Sequence, residues 1–120
     1  QTPSQKPATM NTSESSRVAS AIDTISGVNK STVILSGNTA YVGLDLKANV
    51  EKSKTKTIEK ETSNKVQKVV PRIKTVFVSS DVDTVTRLKK VSSGIAAGKP
   101  VSSFTKELSE IGRRITPMRY

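Results

Sequence analysis

Ser31-Thr32-Val33-Ile34-Leu35-Ser36-Gly37-Asn38-Thr39-Ala40-Tyr41-Val42-Gly43-Leu44-Asp45-Leu46 is the stretch that decides the fold. Gly37 and Asn38 both tolerate positive φ, as a tight hairpin turn requires. After them, Ala40, Val42, Leu44 and Leu46 fall on one face, and Tyr41, Gly43 and Asp45 on the other. That period of two marks a half-buried strand. Before the turn, Ser31–Ser36 is short and β-branched, with Val33, Ile34 and Leu35 in succession. It is expected to take the more enclosed position in the sheet.

Upstream, Val18, Ala21, Ile22 and Ile25 follow an i, i+3, i+4, i+7 template. Ser15 or Ser16 is the expected cap and Gly27 the expected stop. Residues 1–14 are polar, include Pro3 and Pro7, and have little to bury. They are expected to form a flexible polar tether, with 15–120 as a single α+β domain.

Downstream, Val50, Ile58, Thr62, Val66, Val69 and Val70 predict a long helix ended by Pro71. Lys74–Ser80 reads as a third strand. Ser80 and Asp83 fit a capping box opening a third helix. Its buried stripe is Val82, Val85, Leu88, Val91 and Ile95, and Gly98-Lys99-Pro100 ends it. Ser102 or Ser103 caps a fourth helix with Phe104, Leu108, Ile111 and Ile115 on one face, stopped by Pro117. The order is α-β-β-α-β-α-α. The simplest burial solution is an α+β fold, a three-stranded sheet packed by helices on one face. The first five elements share their order with ring-building and BON-like modules, an analogy that by itself carries no function.

Of the 120 residues, 33% are hydrophobic, and Tyr41, Phe77, Phe104 and Tyr120 are the four aromatics. The core is therefore built from Val, Ile and Leu. Twenty Lys and Arg against ten Asp and Glu give a net charge of +10. That field favours anionic partners: nucleic acid, acidic lipid headgroups or anionic cell-wall polymers. The chain has no Cys and no His, which removes thiol chemistry and the usual zinc sites from these residues. No run approaches the ~20 apolar residues of a membrane span.

Catalytic constellations are poorly supported. Without His, a Ser nucleophile would need a Lys base. Asp81 and Asp83 read as charges at a helix N-terminus rather than as paired acids or a cation site. Gly94–Pro100 has a superficial phosphate-loop look, but lacks the spacing and the Ser or Thr, so it reads as a helix terminator. No catalytic residue, cofactor or metal site is expected. The functional candidate is a basic cluster around the second helix: Lys52, Lys54, Lys56, Lys60, Lys65, Lys68 and Arg72. It is a candidate surface for anions, to be weighed against a plain solvated helix face. Lys52, Lys56 and Lys60 share one face by i, i+4 spacing. Arg113 and Arg114, followed by Arg119, form a second basic group. Tyr41, Arg113 and Arg114 are candidate partner contacts.

Four stretches carry a resemblance to a known family. They are Gly37–Asp45, Val76-Phe77-Val78-Ser79-Ser80-Asp81-Val82-Asp83, Ile95-Ala96-Ala97-Gly98-Lys99-Pro100-Val101 and Phe104–Pro117. In this order they resemble the YhcN/YlaJ family of sporulation lipoproteins, over most of residues 16–117. The resemblance implies an exported protein, lipid-anchored at the spore (forespore) membrane through a Cys upstream of Gln1, with residues 1–14 as the stalk. It implies a non-enzymatic, membrane-tethered interaction or scaffold module acting in sporulation or spore germination. The expected partners are an anionic membrane surface or cell-wall polymer, and other spore-membrane or germination proteins. A basic nucleic-acid-binding module is the alternative, disfavoured because no aromatic pair for base stacking and no KH-type GxxG loop is evident. A cell-wall (cortex) turnover factor is the third reading.

Overall fold

A computed structural model describes residues 12–120. Its elements are α1 (Thr12–Ile22), β1 (Val28–Ser36), β2 (Thr39–Leu46), α2 (Lys52–Val69), β3 (Thr75–Ser79), α3 (Val82–Ala96), a 3-10 turn (Val101–Phe104), α4 (Thr105–Arg113) and β4 (Met118–Arg119). Most of the expected tether, residues 1–11, lies outside the described residues. Thr12–Glu14 belong to α1, so the helix opens before the expected cap at Ser15 or Ser16.

The fold is α+β, but the sheet has four strands rather than three, in the order β1-β2-β3-β4. β1 and β2 form the expected hairpin, with Ser36 opposite Thr39 and Val33 opposite Val42. Gly37 has a φ of 60°, as the turn demands. The α2 crossover makes β2 and β3 parallel, with Tyr41 opposite Phe77. After Pro117 the chain returns antiparallel to β3, placing Met118 opposite Val76 and Arg119 opposite Thr75.

Helices cover both faces of the sheet, not one. Val18 and Ile22 of α1 and Ile58 and Val66 of α2 join Ala40, Val42, Leu44, Val76 and Val78 in the larger core. On the opposite face, Leu88 and Val91 of α3 and Leu108 and Ile111 of α4 pack with Ile34. This two-sided cover explains the apolar triplet of β1. Val33 and Leu35 point into one core and Ile34 into the other. β1 is an edge strand, contrary to expectation, and β2 is enclosed. A strand buried on both faces loses its alternation wherever it sits in the sheet.

Helix ends differ from the sequence reading in informative ways. The cap of α3 is Asp81, not Ser80. Its carboxylate accepts from the Thr84 N–H (3.0 Å) and the Thr84 hydroxyl (3.1 Å). Ser80 Oγ donates instead to Glu59 Oε2 at 3.3 Å. Val82, expected in the buried stripe, is 80% exposed because it lies at the first position of α3, on its solvent side. Gly98, at φ 110°, follows the end of α3 as expected. Ile115 falls past the end of α4 yet still packs against the second core.

Gly94 has a separate role from Gly98. A Cβ at Gly94 would clash with Phe104 Cζ, so α3 carries a glycine where the Phe104 ring presses on its backbone. Gly94→Ala is expected to lose about 1–3 kcal/mol by overpacking. In chemical denaturation the double variant Gly94→Ala, Phe104→Leu should lose less than the two single changes summed, because the two sites touch.

Candidate functional site: a basic cleft beside the 113–120 segment

Apolar spacing directs one side of α2 to the core through Ile58, Thr62, Ser63, Val66 and the following Val70. The lysines occupy its two flanks. Lys54 and Lys65 are eleven residues apart, three helical turns, and Lys68 follows at i+3, so these three share one flank. Lys56 and Lys60 lie on the other flank, facing the segment that leaves α4. Lys52 continues that row at the exposed start of α2.

The segment after α4 is held in place by its last described residue. The Tyr120 N–H donates to Lys74 O at 2.7 Å. Its phenol donates to Asn64 Oδ1 at 2.7 Å and lies 2.6 Å from Ser63 Oγ, which donates in return. Ser63 is fully buried, so this pairing satisfies a hydroxyl that would otherwise be stranded in the core. Between α2 and the clamped segment runs a cleft of about 700 Å³. Val78, Ile115, Pro117 and Met118 contribute its apolar surface, and Lys56, Lys60, Arg114 and Arg119 its cations. Two basic groups more than fifty residues apart in sequence meet there.

Not every predicted cation is available. Arg72 makes a two-pronged ion pair with Glu14, at 2.8 and 3.0 Å, and its Nε donates to Gly37 O at 3.3 Å. It ties α1 to the hairpin rather than presenting charge. Arg114 pairs with Asp83 at 3.1 Å, and Asp83 also pairs with Arg87. Among the described residues, no carboxylate oxygen lies within 4 Å of Lys56, Lys60, Arg113 or Arg119. Glu59, the one acidic residue lining the cleft, has its carboxyl raised above the ordinary range by burial, partly offset by the Ser80 hydrogen bond and Lys56. On β2, Asp45 pairs with Lys89 at 2.9 Å.

Tyr41 stacks on Phe77, with ring centroids 5.1 Å apart and an interplanar angle of 8°. The sequence had concealed this aromatic pair. Its members are 36 positions apart and become neighbours through the β2–β3 register alone. Burial raises the Tyr41 phenol above its ordinary value. A second groove, of about 450 Å³, runs beside the pair and is flanked by Arg113 and Arg119. Asn64, Tyr120 and the bridging position of Arg119 were missed as site residues. Asn64 reads as one more polar residue of α2, and Arg119 and Tyr120 lie in or just after a two-residue strand too short for periodicity to register. Among the described residues, no group of three or more His, Cys, Asp or Glu is placed to hold a metal ion, and no helix is long and apolar enough to cross a membrane.

Fold and site together define a basic α+β module with a cationic cleft at one sheet edge. The chain belongs to the sporulation lipoprotein YhcN/YlaJ family, whose model matches residues 1–116. It is similar to two proteins of Bacillus subtilis (strain 168). One, named "Probable spore germination lipoprotein YlaJ", is 31% identical over 75% of this chain and 43% of its own length. The other, named "Probable spore germination lipoprotein YhcN", is 25% identical over 82% of this chain and 52% of its own length. The chain thus spans about half the length of the curated relatives it matches. No enzymatic family is indicated.

Two stability predictions follow from these contacts. Tyr120→Phe, which strands Ser63, should cost about 1 kcal/mol or more in denaturant unfolding. The second concerns pH. The Arg72 hydrogen bond holds the Glu14 carboxyl below its ordinary value. Its contribution is therefore in place above about pH 4.3 and is lost as pH falls through the lowered folded value. Glu59 has the opposite sign: its raised carboxyl favours the folded state at low pH, and this is lost as pH rises through the folded value. Glu14→Gln should change stability at neutral pH by no more than about 1 kcal/mol, since the pair is partly exposed. It should also flatten the acid loss seen when unfolding is followed from neutral pH downward.

Proposed function

We propose that this chain is the folded, non-enzymatic domain of a lipoprotein held at the spore membrane, acting as an interaction module in sporulation or germination. Family membership and the names of the two relatives support the spore role. The 120 residues contain no Cys, so the lipidated residue of such an anchor lies outside them.

The observation that carries the molecular reading is the gathering of Lys56, Lys60 and Arg119 in one cleft without neutralising carboxylates within 4 Å. Such a cleft focuses positive potential and takes anionic groups of phosphate or carboxylate type. At a spore membrane two sources offer this chemistry, acidic lipid headgroups and anionic wall polymers. A lipid anchor combined with a headgroup-binding surface gives two membrane signals, which hold more firmly than one.

The test compares sedimentation with phosphatidylglycerol vesicles, zwitterionic vesicles and soluble poly(glycerol phosphate). Binding to at least one anionic probe is expected, weakening as salt shortens the screening length toward about 8 Å. Near an anionic surface each Lys is worth about 1 kcal/mol. Lys56→Ala with Lys60→Ala should then weaken binding by about 2 kcal/mol, roughly 30-fold. Lys54→Ala with Lys68→Ala, on the other flank, should weaken it less. Absence of binding to every anionic probe at low ionic strength would overturn the reading.

A further inference from the structure

We propose that the two grooves form one continuous path for an anionic polysaccharide, with a sugar ring seated at the Tyr41–Phe77 pair and acidic groups held by Arg113, Arg119, Lys60 and Lys56. This rests on the cationic-cleft reading and deepens it by naming the ligand class.

The grooves are not independent. Pro117 and Arg119 line both, so the segment between α4 and Tyr120 is a ridge with cations on either side. A ligand crossing it meets Lys56 and Lys60, then Arg119, then Arg113. A single anionic headgroup occupies one groove only. A chain of linked acidic units can reach both grooves, of about 700 and 450 Å³, at once.

The second groove is built for a ring carrying hydroxyls. Tyr41 and Phe77 remain half-buried although the protein has few aromatics to leave uncovered. What leaves them open is Gly112 of α4. A Cβ there would lie 3.5 Å from Phe77 and 3.8 Å from Tyr41, ordinary contact distances, and no positive φ requires a glycine. Alanine would fit, would stand against both rings, and is the better helix former. The glycine therefore sacrifices helix stability and leaves the aromatic rim accessible. Around that rim, the hydroxyls of Ser36 and Ser109 and the Tyr41 phenol donate no hydrogen bond among the described residues. Apolar ring, free hydroxyls and flanking guanidinium groups match the C–H faces, hydroxyls and carboxylates of acidic sugars. A single-stranded nucleic acid also carries rings and charge, so an oligothymidylate is the competing ligand in the test.

The experiment is a titration of the 120-residue chain with oligogalacturonates of increasing length. Neutral dextran, an oligothymidylate and phosphatidylglycerol vesicles serve as comparisons. Affinity is expected to rise with oligogalacturonate length, and neutral dextran is expected not to bind. Gly112→Leu fills the groove without changing charge, and Arg113→Ala removes one exposed cation. Each should weaken long oligogalacturonates about tenfold or more, with the thermal unfolding midpoint retained by Arg113→Ala as the check on folding. Binding of any anionic probe through the cleft should still respond to Lys56→Ala with Lys60→Ala. If the lysine changes weaken anion binding and neither Gly112→Leu nor Arg113→Ala affects the oligosaccharide, the polysaccharide path is overturned and the cleft stands. If the lysine changes affect no anion at all, the cleft reading fails with it. Tighter binding of oligothymidylate than of oligogalacturonate, or no dependence on oligosaccharide length, also overturns the proposal.

Discussion

The strict alternation of β2 is the constraint on which the rest of the molecule depends. Ala40, Val42 and Leu44 commit one face of the enclosed strand to α1 and α2, while Tyr41 and Gly43 commit the other to α3 and α4. A register slip of one residue would exchange the two sets and leave a stacked aromatic where small residues are needed. Gly43 sets how near α3 can come. A Cβ there would sit 3.2 Å from Leu88 and 3.3 Å from Val85, so the helix packs almost onto the β2 backbone. That closeness lets a chain with little aromatic volume close a second core around Leu88 and Ile111, both almost fully buried.

The sequence revealed those elements whose signal is local. The hairpin at Gly37-Asn38, the whole of β2 and the long α2 each carry a turn chemistry or a repeated apolar period, and they lie where that chemistry placed them. What escaped depends on contacts between distant parts. The apolar triplet of β1 points to an enclosed strand, yet the triplet reports cover on both faces, and an edge strand can have that too. Asp81 displaced Ser80 as the α3 cap, since a carboxylate accepts from both the N–H and the hydroxyl of Thr84 and is the stronger acceptor. β4 has two residues, fewer than any period can show.

The candidate site was legible as composition and hidden as geometry. Counting lysines along α2 found a basic helix but could not divide it into flanks, nor say which cations were engaged. Glu14 sits 58 positions from Arg72 and Asp83 sits 31 from Arg114, separations at which sequence alone pairs nothing. Those two ion pairs are partly exposed, and each is worth little to stability. Their larger consequence is subtraction. They remove Arg72 from the candidate surface and restrain Arg114, which leaves the cleft charge with Lys56, Lys60 and Arg119.

The segment from Arg113 to Tyr120 joins structural and binding roles in one short run. An open β3 edge would offer unpaired backbone groups to other chains. Two residues of β4 cover Thr75 and Val76, and Pro117, which has no N–H to donate, begins the departure from the ladder. At the opposite edge, the register shift between Val28 and Lys30 interrupts β1, and Lys30 is exposed there, both of which discourage a further strand. A longer β4 would have sealed the β3 edge more completely. It would also have drawn residues 115–117 onto the sheet, where the segment now stands between two grooves. Tyr120 makes the shorter arrangement sufficient by fastening the run to Lys74 on one side and to Ser63 and Asn64 of α2 on the other. The ridge that carries Arg119 therefore exists because the edge is closed by a clamp at its far end rather than by a full ladder.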